Sequence, residues 1–152
     1  SLPMLRQAGE LLGHHEVTTP IELVCADVFD VEITNAAMAV LNFTLQFIPV
    51  EQRQILLERV HQNLLPDGML ILSEKIAFDD EGFQKLFVDM HHQFKRDQGY
   101  SELEISQKRT ALENVLVPES LEAHIDRLKQ VGFAKISVWF QCFNFISLIA
   151  VK

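Results

Sequence analysis

The chain has 152 residues, 48% of them apolar and 22% charged, with a formal net charge of −8. That suffices for one globular domain burying roughly 70% of its unfolded surface. An acidic chain with neither a basic run nor a basic stripe excludes a broad nucleic-acid or anionic-membrane surface and leaves room only for a small local anion pocket.

The two cysteines, Cys25 and Cys142, fit no metal or redox spacing and read as small apolar fillers in a reduced, cytoplasmic compartment. No apolar run reaches membrane-spanning length. The stretch "SLPMLRQAGELLGHH" is helical in pattern from Ser1, with Pro3 in a first turn and Gly13 as a stop, which predicts a helix over 3–13. A pattern already running at the first residue also suggests a piece of a longer polypeptide. "IELVCADVFD" (21–30) reads as a short strand ending in acids, and "AAMAVLNFTLQF" (36–47) as a strand covered on both faces. A helix follows over 50–64, then a turn at "LPDG" (65–68) and a buried strand at "MLILSE" (69–74).

This alternation predicts an α/β fold with a mostly parallel sheet. Two helices, 81–97 and 101–116, are split at Gly99. Another runs from near Pro118 to a stop at Gly132, with Leu121, Ile125 and Leu128 inward. The end, "AKISVWFQCFNFISLIAVK", predicts two antiparallel strands bent near Asn144, at a sheet edge.

Few positions suggest chemistry. Asp27 follows an apolar strand at the edge where open α/β sheets bind ligands, although capping a loop explains it as well. Asn42 falls within an apolar strand, where an amide needs its hydrogen bonds met, by backbone or by ligand. Ile105, Arg109, Leu112 and Leu116 form one helical stripe, which places a guanidinium on an otherwise apolar face. A local pair with Glu113 or Glu102 and a clamp on an anionic ligand both account for Arg109. Lys108 is placed for an exposed pair with Glu104. The pairs His14-His15 and His91-His92 have no third ligand at metal spacing and read as surface histidines. Trp139, Phe140, Phe143 and Phe145 read as core and edge packing. No nucleophile elbow, Cys-His pair or phosphate loop is present.

The segments "VLNFTLQF", "LSEK", "MHHQFKRDQGYSELEISQKR", "ALENV" and "VWFQCFNF" together resemble the bacterial carboxy-S-adenosyl-L-methionine synthase family, from Ser1 to Lys152. The resemblance implies a Rossmann-like class I methyltransferase fold, with a helical insertion at about 78–117 in a partial domain spanning 1–152. It implies S-adenosylmethionine as cofactor, carboxylated by prephenate to carboxy-S-adenosylmethionine, which a separate enzyme uses to carboxymethylate a tRNA wobble uridine. It implies a homodimer, and no direct contact with nucleic acid or membrane. Asp27 and Val28 match the residues that line the adenine, Asn42 a cofactor contact, and Arg109 the grip on the added carboxylate. The family's glycine-rich loop and ribose-binding acid have no counterpart in these residues, so we expect a C-terminal portion that binds adenosylmethionine poorly alone and exposes apolar edges. Two other readings are an ordinary small-molecule methyltransferase, and a non-catalytic dimerising fragment of the same fold.

Overall fold

The structure, a computed structural model, describes residues 1–14, 18–112 and 115–152. It divides into two compact units, Ser1–Glu32 and Ile33–Lys152.

In the first unit, helix α1 spans Leu2–Gly13 with Pro3 in its opening turn, as the pattern predicts. The strand expected over 21–30 is absent. A strand exists only where a neighbour takes up its backbone hydrogen bonds, and no described residue pairs with this segment. Its apolar side chains go elsewhere: a Cβ built on Gly9 would lie 3.6 Å from Leu23 Cδ1, so Leu23 rests on α1. Cys25 is free and exposed rather than a core filler; on an unpaired segment no second layer covers it.

The second unit is built on a four-stranded sheet. Strand β1 (Ala36–Asn42) leads through helix α2 (Val50–Asn63) to the parallel strand β2 (Leu64–Lys75). Helices α3 (Glu81–Asp97), α4 (Glu102–Leu112) and α5 (Leu121–Val131) follow. The antiparallel pair β3 (Lys135–Cys142) and β4 (Phe145–Val151) ends the chain. The spatial order is β1-β2-β4-β3, with β4 antiparallel to both neighbours. Three strands therefore run one way and the C-terminal one runs against them.

Alternation along β2 and one residue beyond it places Leu70, Leu72, Glu74 and Ile76 on one buried face. Leu56, Leu57 and Val60 of α2, Leu128 of α5, and Leu148 of β4 complete that core. The other face is more open: Met38 and Val40 of β1 are 49% and 57% exposed, against the expectation of a strand covered twice. β1 is an edge strand of this unit, and Leu41 is its one buried residue.

The "LPDG" turn becomes an excursion inside β2. Ala36 pairs with Leu64 and Met38 with Met69, so 65–68 loop out between them. Asp67 has φ +59°, and a Cβ on Gly68 would lie 2.8 Å from the Leu65 carbonyl oxygen, which only glycine tolerates. Ser120, two residues after Pro118, caps α5, its Oγ accepting the Ala123 N–H at 3.1 Å. Gly132 ends α5 at φ +114°.

A buried ion cluster ties α2 to α5. Arg53 is fully buried, donating from Nε to the Ile48 carbonyl at 2.9 Å and from a terminal nitrogen to the Val117 carbonyl at 2.8 Å. It also pairs with Glu119, which accepts from both terminal nitrogens of Arg127 at 2.9 and 2.5 Å. Burial disfavours the Glu119 carboxylate, but hydrogen bonds from Arg127 and Arg53 outweigh it and hold its pKa below the usual range. The same residue closes the base of the 78–117 segment: Ile76 bridges to Glu119, and the Ala77 N–H donates to the Glu119 carbonyl at 3.0 Å.

Candidate functional site

A cavity of about 530 Å³ opens in the second unit at the carboxyl ends of β1 and β2. This is the edge where α/β sheets bind ligands. Phe43 follows β1 directly, Lys75 ends β2, and Phe145, paired with Lys75, begins β4. Helices α3 and α4 supply His91, His92, Lys95, Ile105, Lys108 and Arg109.

The loop that ends β1 is held by one buried carboxylate. Glu74 is 0% exposed, and its oxygens accept the N–H groups of Thr44 at 3.0 Å, Leu45 at 2.8 Å and Gln46 at 3.0 Å. These open the single 3-10 turn Leu45–Phe47, which would otherwise leave its first donors unpaired. Burial pushes the Glu74 pKa up, and the three backbone donors and Arg53 offset part of that rise. Phe43 has φ +54°, a conformation costing on the order of 1 kcal/mol that the surrounding bonds must hold. Its N–H donates to the Ser73 carbonyl at 2.8 Å.

Aromatic contacts fix α3 over the hairpin. His91 stands edge-on to Phe145 at 4.9 Å, and Phe94 lies 5.7 Å from Phe143. The aromatic segment thus divides. Phe143 and Phe145 pack as expected, whereas Trp139 and Phe140 are 59% and 53% exposed because β3 is the outer strand. Trp139 still donates from Nε1 to Ser147 Oγ at 2.7 Å. Cys142, on the same strand, is free and exposed, again not a core filler.

The apolar stripe holding Arg109 faces this cavity. Ile105, Arg109, Leu112 and Leu116 all line it, so the guanidinium is exposed on a cavity wall rather than desolvated in a core. Of its two local candidates, Glu102 does not serve Arg109. Glu102 is paired with Arg96, and Glu113 lies outside the described residues. Lys108 does not pair with Glu104, whose Oε2 instead accepts from the Ser101 N–H at 2.8 Å and Ser101 Oγ at 2.7 Å. That is a capping box at the start of α4, and a preformed cap wins over an exposed ion pair.

The cavity is therefore electropositive in an acidic chain. Lys75, Lys95, Lys108 and Arg109 line it, and no described lining residue is a carboxylate. Burial lowers the Lys75 and Lys95 pKa values, and Lys108 and Lys75 push Lys95 further down. Burial, then the positive charge of Lys95 and its neighbours, lowers His91 to about 4, so His91 is neutral at physiological pH. Such a wall can seat anionic oxygens and lay an apolar body against Phe43, Phe145 and Leu116. Sequence reasoning found Arg109 and missed the lysines. Lys108 beside Arg109 was a signal, but Lys75 and Lys95 lie on other elements, brought in by the fold.

The remaining sequence candidates divide between the units. Asn42 is the last residue of β1, exposed and not buried mid-strand as its apolar neighbours suggested, because the strand ends there. It pairs with Ser73 in register, one residue before the cavity wall. Asp27 and Val28 belong to the first unit. Asp27 is exposed, and its Oδ1 accepts the Phe29 N–H at 2.9 Å in a tight turn. His91 and His92 lie with ring centres 6.2 Å apart, and no described group of three or more His, Cys, Asp or Glu is arranged to hold a metal.

Comparison with family models finds no match. Curated relatives do match along the chain. The carboxy-S-adenosyl-L-methionine synthase of Histophilus somni (strain 2336) is 51% identical over all 152 residues. The Pasteurella multocida (strain Pm70) protein of that name is 52% identical over the same length, and the Geobacter sp. (strain M21) one 55% over 150 residues. The chain spans 63%, 63% and 62% of those three proteins. Among solved structures, an O-methyltransferase family 2 protein from Planctomyces limnophilus superposes with a TM-score of 0.68 at 17% identity, covering 97% of this chain and 39% of that one. The methyltransferase SibL gives 0.63 at 14% identity, over 97% of this chain and 40% of its own. These neighbours establish the fold as that of S-adenosylmethionine-dependent methyltransferases. By sequence, the chain is similar along nearly its whole length to carboxy-S-adenosyl-L-methionine synthases, matching somewhat less than two thirds of each.

Proposed function

We propose that the protein carrying this chain makes carboxy-S-adenosylmethionine from S-adenosylmethionine and prephenate. In the balanced reaction, one C–H bond of the sulfonium methyl gives way to a C–C bond with the transferred carboxyl group. The prephenate ring loses that carboxyl group and its hydroxyl, leaving phenylpyruvate and water. The observation that carries the reading is the cavity wall of four cations with no carboxylate partner among the described residues. A plain methyl group gives such a wall nothing to hold, whereas a carboxylated methyl does. An ordinary methyltransferase on this fold leaves these charges without a purpose.

In this reading Arg109 grips the added carboxylate and Asn42 contacts the cofactor beside it. Asp27 and Val28 line the adenine. Positive surroundings also stabilise the carbanion-like character that develops as prephenate loses its carboxyl group. We treat α3 and α4 as a helical insertion over 78–117, supported by the Ile76–Glu119 bridge between its ends. The protein is a cytoplasmic homodimer. Self-association is supported by Phe83, Leu86, Met90 and Phe94, an exposed apolar stripe on α3. The product passes to a separate tRNA carboxymethyltransferase, so the acidic chain needs no RNA or membrane contact of its own. No described helix is long and apolar enough to cross a membrane.

The test is selective ligand retention. Arg109→Leu should weaken binding of the carboxylated cofactor on the order of 100-fold, as loss of a charge-assisted pair does, while leaving S-adenosylmethionine binding within about 3-fold. Equal loss of both ligands would refute the role.

A further inference from the structure

Cations elsewhere in the chain are commonly neutralised: Arg53, Arg96, Arg127, Lys85 and Lys129 each meet a carboxylate. With 21 Asp and Glu against 13 Lys and Arg, partners are plentiful. Yet Lys75, Lys95 and Lys108 have no carboxylate partner among the described residues, and all three border the cavity that Arg109 borders. They come from three elements, β2, α3 and α4, so no single helix pattern gathers them. The arrangement opposes folding, since like charges repel around a partly dry cavity. A bound anion would offset that cost.

One carboxylate occupies one guanidinium fork. With Arg109 committed to the cofactor's carboxylate, three lysines exceed what that group needs. We infer that Lys75, Lys95 and Lys108 form a second carboxylate seat, for an organic dianion whose apolar body lies against Phe43 and Phe145. This rests on the proposed reaction for its choice of dianion, prephenate. The chemistry of the seat is general: two acidic groups at one end of a ring-sized apolar body. Lysine suits the seat, because a flexible point charge follows a substrate that must leave changed, where a rigid fork would hold it. Neutral His91, edge-on to Phe145, extends the apolar wall instead of adding a fifth charge.

Every group named lies in the second unit, so the seat can be tested on this chain without adenosylmethionine. Calorimetric titration at low ionic strength would use prephenate, the monoanion phenylpyruvate and the small dianion succinate. We expect saturable prephenate binding that weakens with salt, and phenylpyruvate and succinate each weaker on the order of 10-fold. Lys75→Gln, Lys95→Gln and Lys108→Gln should each raise the prephenate Kd on the order of 10-fold, and Lys95→Arg should keep most of the affinity. Lys108 is exposed, so Lys108→Gln tests the seat without burdening the fold. No saturable prephenate binding to the chain, or an unchanged Kd in the Gln variants, overturns the inference. The two proposals fail separately. Lysine-dependent binding with no carboxylated product ever formed keeps the seat and removes the reaction. Product formation with an unchanged prephenate KM in the variants keeps the reaction and removes the seat.

Discussion

His124 is the side chain whose environment makes the sharpest demand. It sits on α5, 2% exposed, and neither ring nitrogen has a hydrogen-bond partner among the described residues. Burial lowers its pKa from 6.5 to about 4; Glu119 works against that shift, while Arg127 and Arg53 add to it. In the unfolded chain the ring protonates near 6.5, so between that value and 4 the unfolded state binds the extra proton. Stability therefore falls as the pH drops through this window and levels off below it. At about pH 5 the loss from this one group is about 2 kcal/mol relative to about pH 7.5. Replacing His124 with Leu, of similar bulk and no titration, removes that loss. It should also leave stability near pH 7.5 within about 1 kcal/mol, because no hydrogen bond is given up. Urea denaturation of both proteins at the two pH values measures the difference. Other groups, His91 among them, titrate in both proteins and cancel in the comparison. If the Leu variant loses as much stability on acidification as the parent, the desolvation argument is wrong.

Three further substitutions test the scaffold. Glu74→Gln puts an amide nitrogen against a backbone donor of the 44–46 loop and should cost about 1–3 kcal/mol by denaturant midpoint; an unchanged midpoint would mean the loop is held otherwise. Arg53→Met strips Glu119 of one of its two arginines and leaves carbonyls of Ile48 and Val117 unpaired, so we expect a loss of about 3–5 kcal/mol, with a fall below about 1 kcal/mol refuting the cluster's role. Gly132→Ala forces a β-carbon into a left-handed position 3.2 Å from His61 Cε1. It should lower the thermal midpoint through a loss of about 1–2 kcal/mol, and a neutral result would place the end of α5 differently.

The strongly periodic elements were legible because their burial is local in cause. Leu56 and Val60 recur at helical spacing, and "MLILSE" is an apolar run bounded by a turn, so α2 and the second half of β2 were legible. The segment 21–30 has the composition of a strand and misled for that reason: composition supplies the side chains, but only a neighbour supplies the ladder. The same gap hid the buried polar groups. Arg53 and Glu119 are 66 residues apart, and nothing local says that either is buried. His124 falls on the apolar face of its own helix, between Leu121 and Leu128, and nothing local says that its ring is buried beside a charged cluster. The site was half legible in the same way. Arg109 stood out against the stripe of Ile105, Leu112 and Leu116, whereas Lys75 and Lys95 mean nothing until β2, α3 and α4 meet.

The most direct measurement is mass spectrometry of small molecules formed when the purified protein is given S-adenosylmethionine with and without prephenate. We expect a carboxylated adenosylmethionine that appears only with prephenate, together with phenylpyruvate in equal amount. A methylated acceptor in its place, or a carboxylated product formed equally well without prephenate, would contradict it.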